Sequence, residues 1–351
     1  MRFTIFLAFF LFTCRLSYGQ AAKYSNDFLS IGISAKGHGM ANAMTAQAND
    51  VTAAFWNPAG LCQVQGNYEI SLMHNEYFAG IAKFDYIGAA YKIDTNSTFS
   101  FSTIRFGVDD IPNTTDLMDS EGNFDYNRMS RFSVGDYAFI TSYARKLPVK
   151  GLSAGVNAKV IYRNVGKFAK AYGFGIDAGL QYRHKNLELG AMFKDITGTF
   201  NAWNFNEEEL IIETNDSIFN LPSENSLEIT LPRLILGAAY NFKISPSLKL
   251  KGEIDLDITF DGKRHSLIRT NLISIDPYCG LELAFKNLIY ARAGLGNIQD
   301  IMDFDGTHWS MQPNIGLGIH YKMLTFDYAL ANLGNSSGLG YSNVFSFKIK
   351  I

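Results

Sequence analysis

Three cysteines in 351 residues are too few for a disulfide framework, and the first, Cys14, falls inside an N-terminal apolar segment. The other two, Cys62 and Cys279, have no spacing that suits a metal site. A bridge between them is open to an oxidising compartment, but buried free thiols are the expectation. Proline is scarce at 8 residues, and the composition argues against disorder. Charged residues make up 18%, against roughly 25% in ordinary soluble chains, so the surface is short of ions. Neither sign dominates: 31 Lys+Arg against 33 Asp+Glu leaves −2, which excludes a basic nucleic-acid binder. After the N-terminal segment no run reaches the ~18 uninterrupted apolar residues of a transmembrane helix. What the chain has in abundance is Gly (31), Phe (28) and Tyr (18), residues that favour strands and tight turns.

Arg2, the apolar run Phe3 to Phe12 and Ser17-Tyr18-Gly19 have the order of a secretory signal peptide. Cleavage is expected after Gly19, because small residues stand at −3 and −1. A lipoprotein site at Cys14 would have Thr13 where a smaller residue belongs. The chain thus divides into a leader (1–19), a segment without alternation (20–65) and a strand-rich body (66–351).

The body alternates. Leu248, Leu250, Ile254, Leu256, Ile258 and Phe260 share one phase, with Gly252 in the remaining slot. Lys249, Lys251, Glu253, Asp255, Asp257 and Thr259 occupy the other, so every charge faces away from every apolar group. Five or six residues is typical of a soluble strand, whereas a membrane-spanning strand needs ~9–11. The same pattern recurs at 152–162, 174–183, 324–330 and 345–351. Short turns are expected near 94–97, 148–151, 184–186, 244–247, 286–287 and 322–323. Longer links are expected at 74–82, 109–131, 164–168, 197–226, 261–269, 297–308 and 332–340. Short turns at one end and long loops at the other are the signature of an outer-membrane barrel. Six turns and seven links join about 14 strands of an all-β, antiparallel transmembrane barrel in outer-membrane lipid. Closure follows because a free sheet edge cannot be satisfied in hydrocarbon.

Within 20–65, Asn49 or Asp50 is placed to cap a short helix through Phe55 and Trp56, which Asn57-Pro58 would end. Small residues such as Gly60 let this segment pack as a hatch inside the barrel. Gly37 and Gly39 do not make a phosphate loop, since no strand and long helix flank them. The six histidines stand singly, no Gly-x-Ser-x-Gly elbow is present, and Asp303-Phe304-Asp305-Gly306 lacks the glutamate of a calcium loop. No catalytic residue, metal or cofactor is expected. Aromatics in the 197–226 link (Phe200, Trp203, Phe205 and Phe219) suit either a partner-binding loop or a lid over the barrel mouth.

Asn57-Pro58-Ala59-Gly60-Leu61 resembles the hatch motif of the FadL-type superfamily of fourteen-stranded outer-membrane proteins. Gly39-Met40, Asn49-Asp50-Val51, Phe55 to Leu61 and Met73 to Tyr86 are similar, more specifically, to its PorV/PorQ branch. The resemblance implies a barrel of the type IX secretion system of Bacteroidetes-type bacteria. Such a barrel would bind a giant translocon barrel, and exported cargo bearing C-terminal sorting domains, without catalysis. The alternative is FadL-like transport of small hydrophobic solutes such as fatty acids. Charge in the Lys249–Asp257 row weighs against a wholly greasy tunnel along that wall.

Overall fold

The computed structural model describes residues 25–77, 80–115, 117, 123–214, 217–220, 226–303, 306–332 and 341–351. The expected leader lies outside them. The N-terminal strands are β1 (Tyr68–Tyr77), β2 (Ala82–Lys92), β3 (Ser97–Asn113), β4 (Ser130–Lys146), β5 (Leu152–Val165) and β6 (Ala169–His184). There follow β7 (Leu187–Lys194), β8 (Thr199–Phe205), β9 (Ile211–Thr214), β10 (Ser217–Asn220), β11 (Leu227–Thr230), β12 (Arg233–Ser245) and β13 (Leu248–Thr259). The last are β14 (Ile268–Arg269), β15 (Ser274–Phe285), β16 (Ile289–Asp303), β17 (Gly306–Tyr321), β18 (Leu324–Ala331) and β19 (Ser342–Lys350). Antiparallel pairing of β1 with β19, Glu69 opposite Lys350, closes the sheet on itself. β7 continues into β8, and β11 into β12, as two interrupted crossings, so the wall is a closed barrel of 14 strands.

Alternation puts Leu72, Ile87, Phe101, Val160, Ile254, Leu317 and Phe347 outside, facing lipid. Inside, the wall is polar over β13 and β15 to β19. Over β2 to β5 it is apolar, with Phe84, Ile104, Ala138, Ile140 and Ile161 buried against the hatch. The hatch contributes Ile33, Met40, Met44, Val51 and Leu61 to this core.

Several links are shorter than expected. β1 runs through His74 to Tyr77, β3 reaches Asn113, and β16 and β17 approach within two residues of each other at 304–305. In β1 and β3 the outward phase of the extension carries His74, Glu76 and Asp109, which break the alternation from which the strands were read. The 197–226 link is also reduced, because Thr199–Phe205 pairs with 169–174 of β6 and with β11. Of the two cysteines Cys62 is buried, but Cys279 is exposed in the outward phase of β15, so the expectation of two buried thiols fails there.

Candidate functional site

The hatch crosses the whole lumen. Its first described residues are tied to the mouth: Asn201 donates to Ser25 and Asn26, and Asn26 donates to Thr230 at 3.0 Å. Its last are tied to the base, where Asn67 N–H donates to Ile351 O at 2.8 Å. Between them lie two short helices, α1 (Ala35–Gly39), capped by Ser34 Oγ, and α2 (Ala53–Trp56).

Asn49 is half-buried, and Asp50 does not cap α2 directly. Thr52 holds the N-cap position, while Asp50 Oδ1 accepts from Thr52 N at 2.9 Å and from its hydroxyl. Asp50 Oδ2 takes an ion pair from Lys348 on β19. Burial alone would raise the Asp50 carboxyl, but the Lys348 and Lys36 ammonium groups hold it well below the usual carboxylate range. Phe55 and Trp56 pack edge to face with centroids 5.0 Å apart, and Lys194 Nζ lies 4.2 Å over the Phe55 ring. Asn57 is extended (φ −165°), which ends the helix ahead of Pro58. Its Nδ2 donates to Thr45 O and Leu180 O, each at 3.0 Å, and its Oδ1 caps the 3-10 turn Pro58–Gln63 through Ala59 N. Asn57→Asp keeps the acceptor and loses both donors. About 1–3 kcal/mol of hatch stability is expected to go with them, read as a lower thermal transition of the folded barrel; an unchanged transition would refute the role.

The inward carboxylates of β13 are sockets for hatch backbone. Asp255 Oδ2 accepts from Met44 N and Thr45 N at 3.0 and 2.9 Å, and Glu253 Oε1 from Ala46 N at 2.6 Å. Successive main-chain N–H groups make an anion-binding nest, here used within the chain. Glu69 does the same for Val51 N at 2.8 Å. Wall glycines in the inward phase let the hatch lie flush. A Cβ on Gly155 would sit 2.4 Å from the Pro58 carbonyl carbon, and one on Gly190 would sit 2.3 Å from Thr45 O. Sequence reading singled out the row Lys249 to Asp257 but gave it no partner. The glycines carried no signal, since what lies against them comes from residues more than 95 positions away.

Buried ion pairs fill the remaining lumen wall. Lys159 bridges Asp177 (2.7 Å) and Asp195 (2.5 Å), and Arg292 bridges Glu282 and Asp327, each at 2.7 Å. Arg233 meets Asp257 at 3.0 Å. The spaces between hatch and wall are small: about 60 Å³ beside Asn42, Trp56, Lys194 and Tyr278, and about 20 Å³ beside Leu29, Phe55 and Ile140. Each holds at most a few waters. Both adjoin the break between β7 and β8, where 195–198 stand opposite only 231–232 and Pro232 has no N–H to give.

His38 on α1 is buried with Nε2 unpartnered, and burial pushes its imidazole down to about 4, a backbone bond with Gly32 offsetting part of the fall. A base lowered by folding stabilises the fold fully above its unfolded value, near 6.5, and loses that contribution as pH falls toward 4. Thermal unfolding is expected to lose up to about 1.4 kcal/mol per pH unit across that window. His38→Leu should flatten the slope; an equal slope in the variant would assign the effect elsewhere.

The mouth aromatics divide. Phe200 faces outward, 43% exposed. Trp203 and Phe205 point into the lumen mouth and stack at 6.0 Å, with Arg163 5.0 Å over the indole. All three stand in the β8 wall rather than in a free loop. Phe219 falls in the β9–β10 hairpin, and its side chain lies outside the described residues.

The sequence matches no protein-family profile and no curated protein. Solved structures do match. The monoaromatic hydrocarbon channel CymD aligns with a TM-score of 0.57 at 10% identity, over 92% of this chain and 98% of that one. The P. putida toluene transporter TodX gives 0.57 at 12% identity, over 91% and 99%. The Ralstonia pickettii toluene transporter TbuX gives 0.51 at 12%, over 91% and 98%. At such identities the shared property is the fold, a closed antiparallel outer-membrane barrel.

Proposed function

We propose that the protein is a gated, non-catalytic passage for small hydrophobic solutes across the outer membrane, with the hatch as its gate. The observation that carries the reading is the fold, shared along nine-tenths of the chain with channels described for toluene and monoaromatic hydrocarbons. The break between β7 and β8 supports it as well, because a small space, lined by Leu29, Phe55 and Ile140 beside the Lys159, Asp177, Lys194, Asp195 and Arg233 charges, lies immediately inside a stretch of wall with missing rungs. Since the lumen spaces are only water-sized, passage requires the hatch to move. In a bacterium lacking its own hydrocarbon channels, initial uptake of radiolabelled toluene should rise with expression of the barrel. A rate equal to that of cells with the empty vector would overturn the proposal.

A second reading is favoured by the likeness of residues 28–86 to the PorV/PorQ branch. On it the barrel docks a giant translocon barrel, secreted cargo with C-terminal sorting domains, or both. Mild-detergent purification from the native outer membrane should then bring down a very large barrel. Trimming 207–225, which leaves β8 and β11 in the wall, should weaken cargo capture; undiminished capture would remove the loop from the contact.

A further inference from the structure

One sector of the outer wall is charged at a depth where other strands carry uncharged residues. On β1 the outward residues after Tyr68 are Ile70, Leu72, His74 and Glu76; on β2 they include Lys83 and Asp85, and on β3 Arg105. Glu76 and Arg105 each stand eight residues beyond the periplasmic end of their strands, Tyr68 and Ser97. With a rise of about 3.4 Å per residue and a tilt of about 40°, that is roughly 21 Å up, within an apolar band about 25 Å tall. The same step falls on Val160 of β5, Leu256 of β13 and Pro313 of β17, and on the uncharged Asn297 of β16. Charges facing hydrocarbon are costly, and the cost rises with depth.

The group is a network. His74 Nδ1 meets Asp85 at 2.7 Å, and Arg105 meets Asp109 at 3.1 Å and Asp85 at 3.5 Å. Lys83 meets Asp109 at 3.6 Å. Glu76 is the least satisfied: its neighbour is His74 at 3.9 Å, and its side chain is 54% exposed. Beside the network lies an outward concavity of about 430 Å³, lined by Leu72, Ile87, Phe326, Phe345 and Phe347 and edged by His74, Asp85 and Arg105.

We infer that this β1–β3 face is the contact surface for a second copy of the chain, joined across a two-fold axis parallel to the membrane normal. At one level the face presents an anion (Glu76 on β1) and a cation (Arg105 on β3), with Lys83 and Asp85 between them on β2. A two-fold through β2 reverses left and right, so Glu76 of each copy meets Arg105 of the other. An isologous contact needs a patch that complements itself, and this one does so in charge and in level. Pairing removes the network from lipid and sets each copy's concavity, on its β1 side, against the β3 side of the other.

The test uses the full chain with Cys279→Ser, carrying Glu76→Cys and Arg105→Cys together. Two strands apart is roughly 9.6 Å, beyond disulfide reach within one chain, so oxidation in native membranes should give a covalent dimer. Leu256→Cys on the opposite wall should give none. Independently, the unmodified barrel in lipid nanodiscs should have the mass of two copies. Glu76→Lys or Arg105→Glu should halve that mass, and the two together should restore it. Folding of every variant is checked by heat-modifiable migration. A monomeric mass with no cross-link overturns the inference. So does a mass unaltered by single charge reversal, or a monomer that retains phosphorylated lipid through Arg105, which would make the face a lipid site.

Discussion

Lys348→Met is expected to release the hatch from the closed barrel. Lys348 Nζ is the cation on Asp50, whose other oxygen is committed to Thr52, and Asp50 is only 6% exposed. Removing one partner of a buried pair leaves an uncompensated charge and typically costs about 3–5 kcal/mol. Removing both, in Asp50→Asn with Lys348→Met, should cost much less, because nothing charged is stranded. The pH behaviour separates the cases. A carboxyl depressed by folding contributes stability that is complete above its unfolded value, near 3.8, and is lost only as pH falls through the depressed folded value. In the wild type the Asp50 lock therefore holds into strong acid. With Lys348 gone, only Lys36 and the Thr52 bonds offset burial, so the carboxyl rises and the site protonates at higher pH than in the wild type. Single-channel conductance in planar bilayers should rise in Lys348→Met and vary with pH over a range in which the wild type does not. Conductance equal to wild type at every pH would show that the pair does not hold the hatch.

Gly155→Val is expected to unseat the middle of the hatch while the barrel still assembles. The added Cβ would stand 2.4 Å from the Pro58 carbonyl carbon and 2.6 Å from Ala59 N, atoms of a backbone that cannot rotate away. Overpacking of this kind costs about 1–3 kcal/mol, and here the strain falls on the turn that Asn57 organises. Gly252→Ala is the matched control: it faces lipid, and its nearest neighbour is Leu281 Cδ2 at 3.3 Å, the end of a flexible side chain. Limited proteolysis should cut the Gly155→Val hatch near 57–63 while the wall stays protected. Equal resistance in both variants would refute the packing argument.

The legible parts of this fold are those in which a strand has one apolar phase. β13 met that condition, and its charged phase turned inward as alternation requires. The end of β1 did not, because its outward residues His74 and Glu76 are polar or charged and so resembled loop; in β16 a shift of register between Gly296 and Gln299 interrupts the phase. Thr199–Phe205 carries aromatics in both phases, two into the mouth and one toward lipid, and its partner on β6 lies some 30 residues earlier. The hatch motif around Asn57 was visible as a motif. What Asn57, Asp50 and the glycines touch was not, since those contacts join residues that no periodicity relates.

The lock between Asp50 and Lys348 joins residues separated by 298 positions, one ahead of the first strand and the other in the last. The hatch emerges before any wall exists to receive it, and its sockets on β13 and β19 arrive near the end of the chain. A barrel halted before β19 would leave the Asp50 carboxylate without its ion-pair partner Lys348. The Asp50–Lys348 pair can form only once β19 is in place, so that lock requires the strand that closes the ring. On the proposed reading as a gated passage, that requirement ties a closed gate to a closed ring.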